Sequence, residues 1–229
     1  MKAEELKRLD KIDPIVVLSQ KIEPIGTEYE LAKHELALMR TIKIGERDIE
    51  IPGLKRATNT ILSALAEFKE KEKRTVMPLQ LAKSDDIVIM ALRPEHIAAN
   101  FSYEKDITLA TGKYVGIFDI LPPTSGVFTL AEKTIIVVTD IIELGPDARL
   151  TGIQMNVDGV LQYAIDTTLM VKASDMQIIE LPHPAIAHST LDIDGKLEAK
   201  TAGSTVTTFA FPVGVWIGLG KDVPALARP

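Results

Sequence analysis

The spacing of the apolar residues changes near Thr75, and that change constrains the fold more than any other feature. Before it, apolar positions recur every three or four residues. After it they come in short blocks rich in Val, Ile and Thr, closed by glycine and proline. The blocks read as strands: Val76–Leu81, Ile87–Leu92, Ile107–Ala110, Tyr114–Leu121, Val127–Leu130, Thr134–Leu144, Leu150–Val157, Val160–Thr167, Met176–Leu181, Leu197–Lys200, Thr205–Phe211 and Val213–Gly218. Turn signals separate them at Thr111-Gly112, Pro122-Pro123, Gly145-Pro146, Asp158-Gly159, Pro182–Pro184, Asp194-Gly195 and Ala202-Gly203. Strands repeating at roughly 8–12 residues without intervening helices specify an antiparallel sandwich or barrel and argue against a parallel-sheet enzyme fold. The sharpest hairpin signal is Asp158-Gly159, a pair suited to the positive φ angles of a type I′ turn.

The first third has a different texture. Thr27 and Glu30 have the spacing of a capping box, which starts a helix over Glu28–Met39. Thr41–Ile51 alternates around Gly45-Glu46 and reads as a hairpin. Pro52-Gly53 breaks the chain. A long amphipathic helix then runs from Leu54 to about Arg74, with Leu54, Ala57, Ile61, Leu62, Leu65 and Phe68 on one stripe. Arg93–Ala99 reads as one or two further helical turns, with Pro94 at the first position. Two units are therefore expected: a helical and hairpin arm over residues 1–75, and an antiparallel β-sandwich over residues 76–229. The arm carries 15 basic and 14 acidic residues, the remainder 11 and 18, so the net charge of −6 belongs almost wholly to the β part.

Composition removes several classes of function. The chain has no cysteine, hence no disulfide, thiolate metal site or cysteine nucleophile. The acidic balance gives no footprint for nucleic acid. No apolar run is long enough for a transmembrane helix, and the charged N-terminus does not read as a secretory signal. Three Asn and five Gln in 229 residues is the depletion of labile amides found in hot-living proteins, so a thermophilic source is expected.

No constellation of side chains specifies a chemistry. Asp192-Ile-Asp194-Gly195 resembles part of a calcium loop but lacks the later ligands, and reads as a hairpin turn. His183 and His188 lack a third ligand at metal spacing. His34 and His96 stand alone on helical segments. Asp85-Asp86 reads as a cap or loop. Asp140 and Asp166 could form a carboxylate pair only if the fold brought them within about 5–10 Å. The glycine-rich stretch Gly214–Gly220 does not match a phosphate-binding loop. Trp216, with Tyr114 or Tyr163, is the one aromatic group from which a sugar platform could be built. No catalytic, cofactor-binding or metal-ligating residue is assigned, and no cofactor is expected.

Residues 105–220 resemble the jelly-roll β-sandwich domains of viral and phage structural proteins. The resemblance is carried by Thr134-Ile-Ile-Val-Val-Thr-Asp-Ile141, a turn, and Leu150-Thr-Gly-Ile-Gln-Met-Asn-Val-Asp-Gly-Val-Leu-Gln-Tyr163: a long core strand, a loop and a hairpin. It implies a single jelly roll acting as a capsid or virion component, located in the virion and partnered by copies of itself and by other virion proteins. The N-terminal helices would pack beneath or between subunits. Were the resemblance to fail, a cytoplasmic location is expected. Two other readings remain open at this point: a carbohydrate- or ligand-binding sandwich, and a hydrolase built from Asp140, Asp166, His183 and His188.

Overall fold

A computed structural model describes residues 24–44, 47–92, 96, 104–108, 114–116, 127–143, 149–166, 177–198 and 205–223. In chain order these form helix α1 (Pro24–Met39), strands β1 (Thr41–Ile44) and β2 (Arg47–Glu50), helices α2 (Pro52–Arg56) and α3 (Thr58–Glu72), and strand β3 (Ile87–Ala91). Short strands β4 (Glu104–Thr108), β5 (Tyr114–Gly116) and β6 (Val127–Thr129) follow. Then come β7 (Thr134–Glu143), β8 (Arg149–Val157), β9 (Val160–Asp166), β10 (Gln177–Ala187), β11 (Thr190–Glu198) and β12 (Thr205–Leu219).

The strands form two five-stranded antiparallel sheets and one two-stranded hairpin. One sheet runs β10-β7-β12-β3, with β4 also on β12. The other runs β5-β11-β8-β9, with β6 also on β11. Among the described strands from β7 to β12, only β8 and β9 follow one another in chain and sheet. The other successive steps from β7 to β12 cross between the sheets, which is the winding of a jelly roll. The expected antiparallel sandwich is therefore what forms.

The sheets enclose one core. Val88, Met90, Ile136, Val138, Ile141 and Trp216 from the first sheet meet Ile153, Met155, Val157, Leu191 and Ile193 from the second. The first sheet is also buried on its outer face. There Ile87, Ile89, Ile135, Val137, Ile142, Val215 and Ile217 pack on Leu36, Leu54, Ile61, Leu65 and Phe68 of the helices. The protein is thus three layers: helices, sheet, sheet. Strand β7 is buried at every position, as a strand covered on both faces must be.

Several elements differ from their sequence expectation. Helix α1 begins at Pro24, one turn before the capping box, because proline is well suited to a first helical position. Pro52-Gly53 opens a helix instead of breaking the chain. The expected single helix is divided at Ala57. Thr58 sends its hydroxyl back to the carbonyls of Leu54 and Lys55, which marks the joint. The apolar stripe nonetheless holds, with Leu54, Ala57, Ile61, Leu62, Leu65 and Phe68 all buried.

Val76–Leu81 contributes only a bridge from Val76 to Ile87. Asp194-Gly195 is no turn: both residues lie inside β11, paired with β5 on one side and β8 on the other. Pro182–Pro184 lies within β10, which tolerates proline because it is an edge strand with a bulge there. Thr205–Phe211 and Val213–Gly218 are one strand, β12, whose register shifts at Val213/Gly214. The turns at 111–112, 122–123, 145–146 and 202–203, the Gly45-Glu46 loop and most of 93–99 lie outside the described residues.

The Asp158-Gly159 hairpin forms as expected, with φ of 49° and 78°. Asp158 does more than turn the chain. Its carboxylate accepts hydrogen bonds from the backbone N–H groups of His188, Ser189 and Thr190 and from the Ser189 hydroxyl, at 2.8–3.2 Å. Partial burial alone would raise the pKa of this carboxyl, but the Thr190, Ser189 and His188 donors together lower it. The stability it contributes is full above the unfolded value of about 3.9 and is lost as the pH falls through the lower folded value. Asp158→Ala is expected to cost about 1 kcal/mol at pH 7, water screening much of the interaction at this exposed site. The loss should shrink in thermal melts run at pH 3.

Candidate functional site

The most unusual side-chain grouping among the described residues sits where the helical layer meets the first sheet. Its centre is Asp140, a carboxylate with no solvent exposure. A carboxylate reaches such a place only if the surrounding backbone supplies donors.

The bulge in β7 provides them. Asp140 pairs with Val213 of β12 and Glu180 of β10, whereas Val138 pairs with Gly214 and Ala185. Thr139 is therefore one residue too many against β12, and Leu181–Pro184 bow out opposite it on β10. An extra residue reverses the alternation of a strand. Ile136 and Val138 face the inter-sheet core, and so does Ile141, three residues after Val138 instead of two. Ile135, Val137 and then Ile142 face the helices. At the reversal, Asp140 is turned toward α2.

The helix meets it closely. The Gly53 N–H donates to Asp140 Oδ1 at 3.1 Å, and the Thr139 hydroxyl donates to Oδ2 at 2.6 Å. Thr139 Oγ1 also lies 3.3 Å from the Val213 carbonyl. A Cβ at position 53 would stand 2.5 and 2.7 Å from the two carboxylate oxygens and 2.7 Å from the Thr139 carbonyl, so only glycine permits this approach. Arg56, one helical turn on, pairs with Glu180 at 2.5 Å and donates to the Leu181 carbonyl at 3.2 Å. Burial is the main cause that raises the pKa of Asp140. The Thr139 and Gly53 hydrogen bonds oppose it, Glu180 adds to it, and Arg56 offsets part.

The chemistry open to this group is mechanical. Asp140 lies beneath α2 with no solvent exposure. Its donors belong to two layers, so it fixes the position of the helices on the sheet. The other end of the helical layer is tied by Glu28 of α1, which pairs with Lys69 of α3 and accepts the Val76 N–H at 3.2 Å.

The residues singled out from the sequence do not converge. Asp140 and Asp166 stand in different sheets. Asp166 pairs with Gly152, six residues along β9 from the hairpin tip, hence roughly 20 Å from the end where His188 contacts Asp158. His183 is exposed in the β10 bulge. The hydrolase reading loses its pocket with that separation. Asp86 caps its own turn, accepting the Lys83 N–H at 2.8 Å. Asp192 accepts from Asn156 across β11 and β8 at 3.2 Å. Among the described residues no group of three or more His, Asp or Glu could hold a metal ion. Trp216 is only 2% exposed, its ring stacked on His96 at 4.9 Å, so it cannot serve as a surface platform for sugar. The side chains of Tyr114 and Tyr163 lie outside the described residues.

No protein-family model matches the chain, and no curated protein matches it either. Among solved structures, a chain from the structure of infectious bursal disease virus, Gt strain, is similar. The TM-score is 0.30 at 13% identity, over 64% of this chain and 35% of the viral one. The chain thus spans about a third of that relative's length. No helix among the described residues is long and apolar enough to cross a membrane.

The cluster around Asp140 was not legible in the sequence. From the sequence, Asp140 stands out as an acid in a strand and as a candidate partner for Asp166, not as a partner of Gly53. Its partner Gly53 lies 87 residues away, and the bulge that turns it arises from pairing with two distant strands. The one available signal was a charged residue inside the run Ile135–Ile142, where charge costs most unless it is satisfied.

Proposed function

We propose that the protein is a structural subunit that assembles with copies of itself, as a capsid or other virion component. The observation that carries the reading is the strand order: β3-β12-β7-β10 facing β5-β11-β8-β9, eight strands wound as a jelly roll. Jelly rolls of this kind build viral shells, and they also occur in lectins and cupins. Fold alone does not choose among those uses. Two of the groups considered for the other uses are part of the subunit's interior. Trp216 is core, Asp140 is an interlayer anchor, and the histidines are scattered.

The helical layer supports the same reading. It closes the outer face of one sheet and is bolted there by Gly53, Arg56 and Glu28, giving a rigid block with two distinct outer faces. Rigid blocks suit assembly, because less freedom is lost when each contact forms.

The expected result is a large homo-oligomer in light scattering, and shells, tubes or rings in negative-stain micrographs. Interfaces should bury upward of roughly 2,000 Å². A monomer that persists at all accessible protein concentrations would overturn the reading.

A further inference from the structure

We infer that the outer edge of β9 is a contact surface for a second copy of this chain, the two β9 strands pairing antiparallel so that the second sheets of two copies run on as one. This rests on the self-assembly reading and names a contact within it.

A sheet edge presents a row of unpaired backbone donors and acceptors, and proteins that are to stay apart protect it. Three of the described edges are protected. The outer side of β3 is met at its first residue by Thr75–Met77, with Met77 N–H to the Ile87 carbonyl at 2.9 Å and Ile87 N–H to the Thr75 carbonyl at 2.8 Å. On β10, Pro182 and Pro184 interrupt the edge and the register shifts there. Among the described residues, only β5 and β6, of three residues each, lie beyond β11. Strand β9 is different. It is seven residues long, Val-Leu-Gln-Tyr-Ala-Ile-Asp, with no proline, glycine, lysine or arginine. Among the described residues nothing pairs with its outer side. Its single irregularity is the extra residue Gln162, near the turn, which leaves Tyr163–Asp166 in regular register with Gly152–Met155.

The side chains agree with the backbone. Val160 and Leu161 are 59% and 53% exposed, two of four large apolar side chains so exposed among the described residues. Charge points to a second copy as the occupant. A chain of net charge −6 repels its like at long range, so copies must meet where charge is absent. Along β9 the one charged residue is Asp166, at the end. Two-fold antiparallel registers centred within Tyr163–Ile165 set Asp166 opposite one of Val160–Ala164, all uncharged, so pairing β9 with itself in these registers opposes no like charges. One strand edge buries less than a stand-alone dimer needs, so this contact acts alongside others in an assembly.

The test is sedimentation velocity over a concentration series, comparing the wild type with Leu161→Lys/Ala164→Lys. Both positions already face water, so the fold should survive, and circular dichroism checks that it does. Facing lysines across the contact should weaken association about tenfold or more and shift the distribution to smaller species. A folded variant that assembles like the wild type overturns the β9 contact while leaving self-assembly standing. A wild type that stays monomeric overturns both. Hydrogen exchange on the wild type decides independently of any variant. Amides of residues 160–166 should be better protected in concentrated than in dilute protein, and equal protection overturns the inference.

Discussion

Gly53→Ala is expected to destabilise the protein by about 2–3 kcal/mol. The direction is informative, because the same change at an exposed helical position stabilises by up to about 1 kcal/mol. Here the new methyl group would have to share space with both oxygens of Asp140 and the Thr139 carbonyl. None of the three is a flexible side-chain end: Asp140 is buried on a central strand and Thr139 contributes backbone. Helix α2 must retreat instead, stretching the Gly53 hydrogen bond and loosening the packing of Leu54 on the sheet. For a chain of this size the melting temperature should fall by roughly 5–10 °C. An unchanged or raised melting temperature would show that α2 sits farther from β7 than described.

Asp140 itself should distinguish shape from charge. Asp140→Ala removes both acceptors, leaves the Gly53 N–H and the Thr139 hydroxyl to find others, and opens a small cavity. The expected loss is about 2–4 kcal/mol. Asp140→Asn keeps the volume and an acceptor for Gly53. Its amide can donate to Thr139 Oγ1, whose own hydroxyl then donates to the Val213 carbonyl 3.3 Å away. That chain of donors is the one a protonated Asp140 would also make.

The pH dependence follows from the raised pKa, for which burial is the main cause. With its folded value above its unfolded one, Asp140 contributes stability that is fully present below the unfolded value of about 3.9. That contribution is lost as the pH rises through the folded value. Above that folded value the wild type carries an ionised buried group. The asparagine variant is relieved of it and should be more stable by about 1 kcal/mol. Glu180 and Arg56 lie beside it and act in opposite directions, Glu180 raising the Asp140 pKa and Arg56 lowering it. Urea melts at pH 4.5 and 7.5 should show the asparagine advantage at the higher pH and its shrinkage at the lower. An asparagine variant as damaged as the alanine one would mean that the negative charge is what holds α2 in place.

The legible part of the fold was the part set by neighbours in sequence. The Asp158-Gly159 turn, the strand blocks Thr134–Leu144 and Leu150–Val157, and the stripe Leu54–Phe68 depend on turn chemistry and apolar spacing over a few residues. Elsewhere a local signal is overridden by a stronger distant one. Asp194-Gly195 has turn composition, yet β5 and β8 hold it extended inside β11. Pro182 and Pro184 look like a loop, yet β10 resumes its pairing with β7 on both sides of them. The edge position spares those prolines the backbone bonds they cannot make.

By itself the sequence determined that this is an antiparallel β-sandwich with helices ahead of it, because side-chain spacing and turn residues act over distances of a few residues. Only the tertiary structure decided that the helices cover one sheet, that one extra residue at Thr139 turns Asp140 from one face of that sheet to the other, and that Gly53 lies beneath it. Those outcomes depend on pairing between segments tens of residues apart, where the environment of a carboxylate is set by backbone donors that no local pattern records.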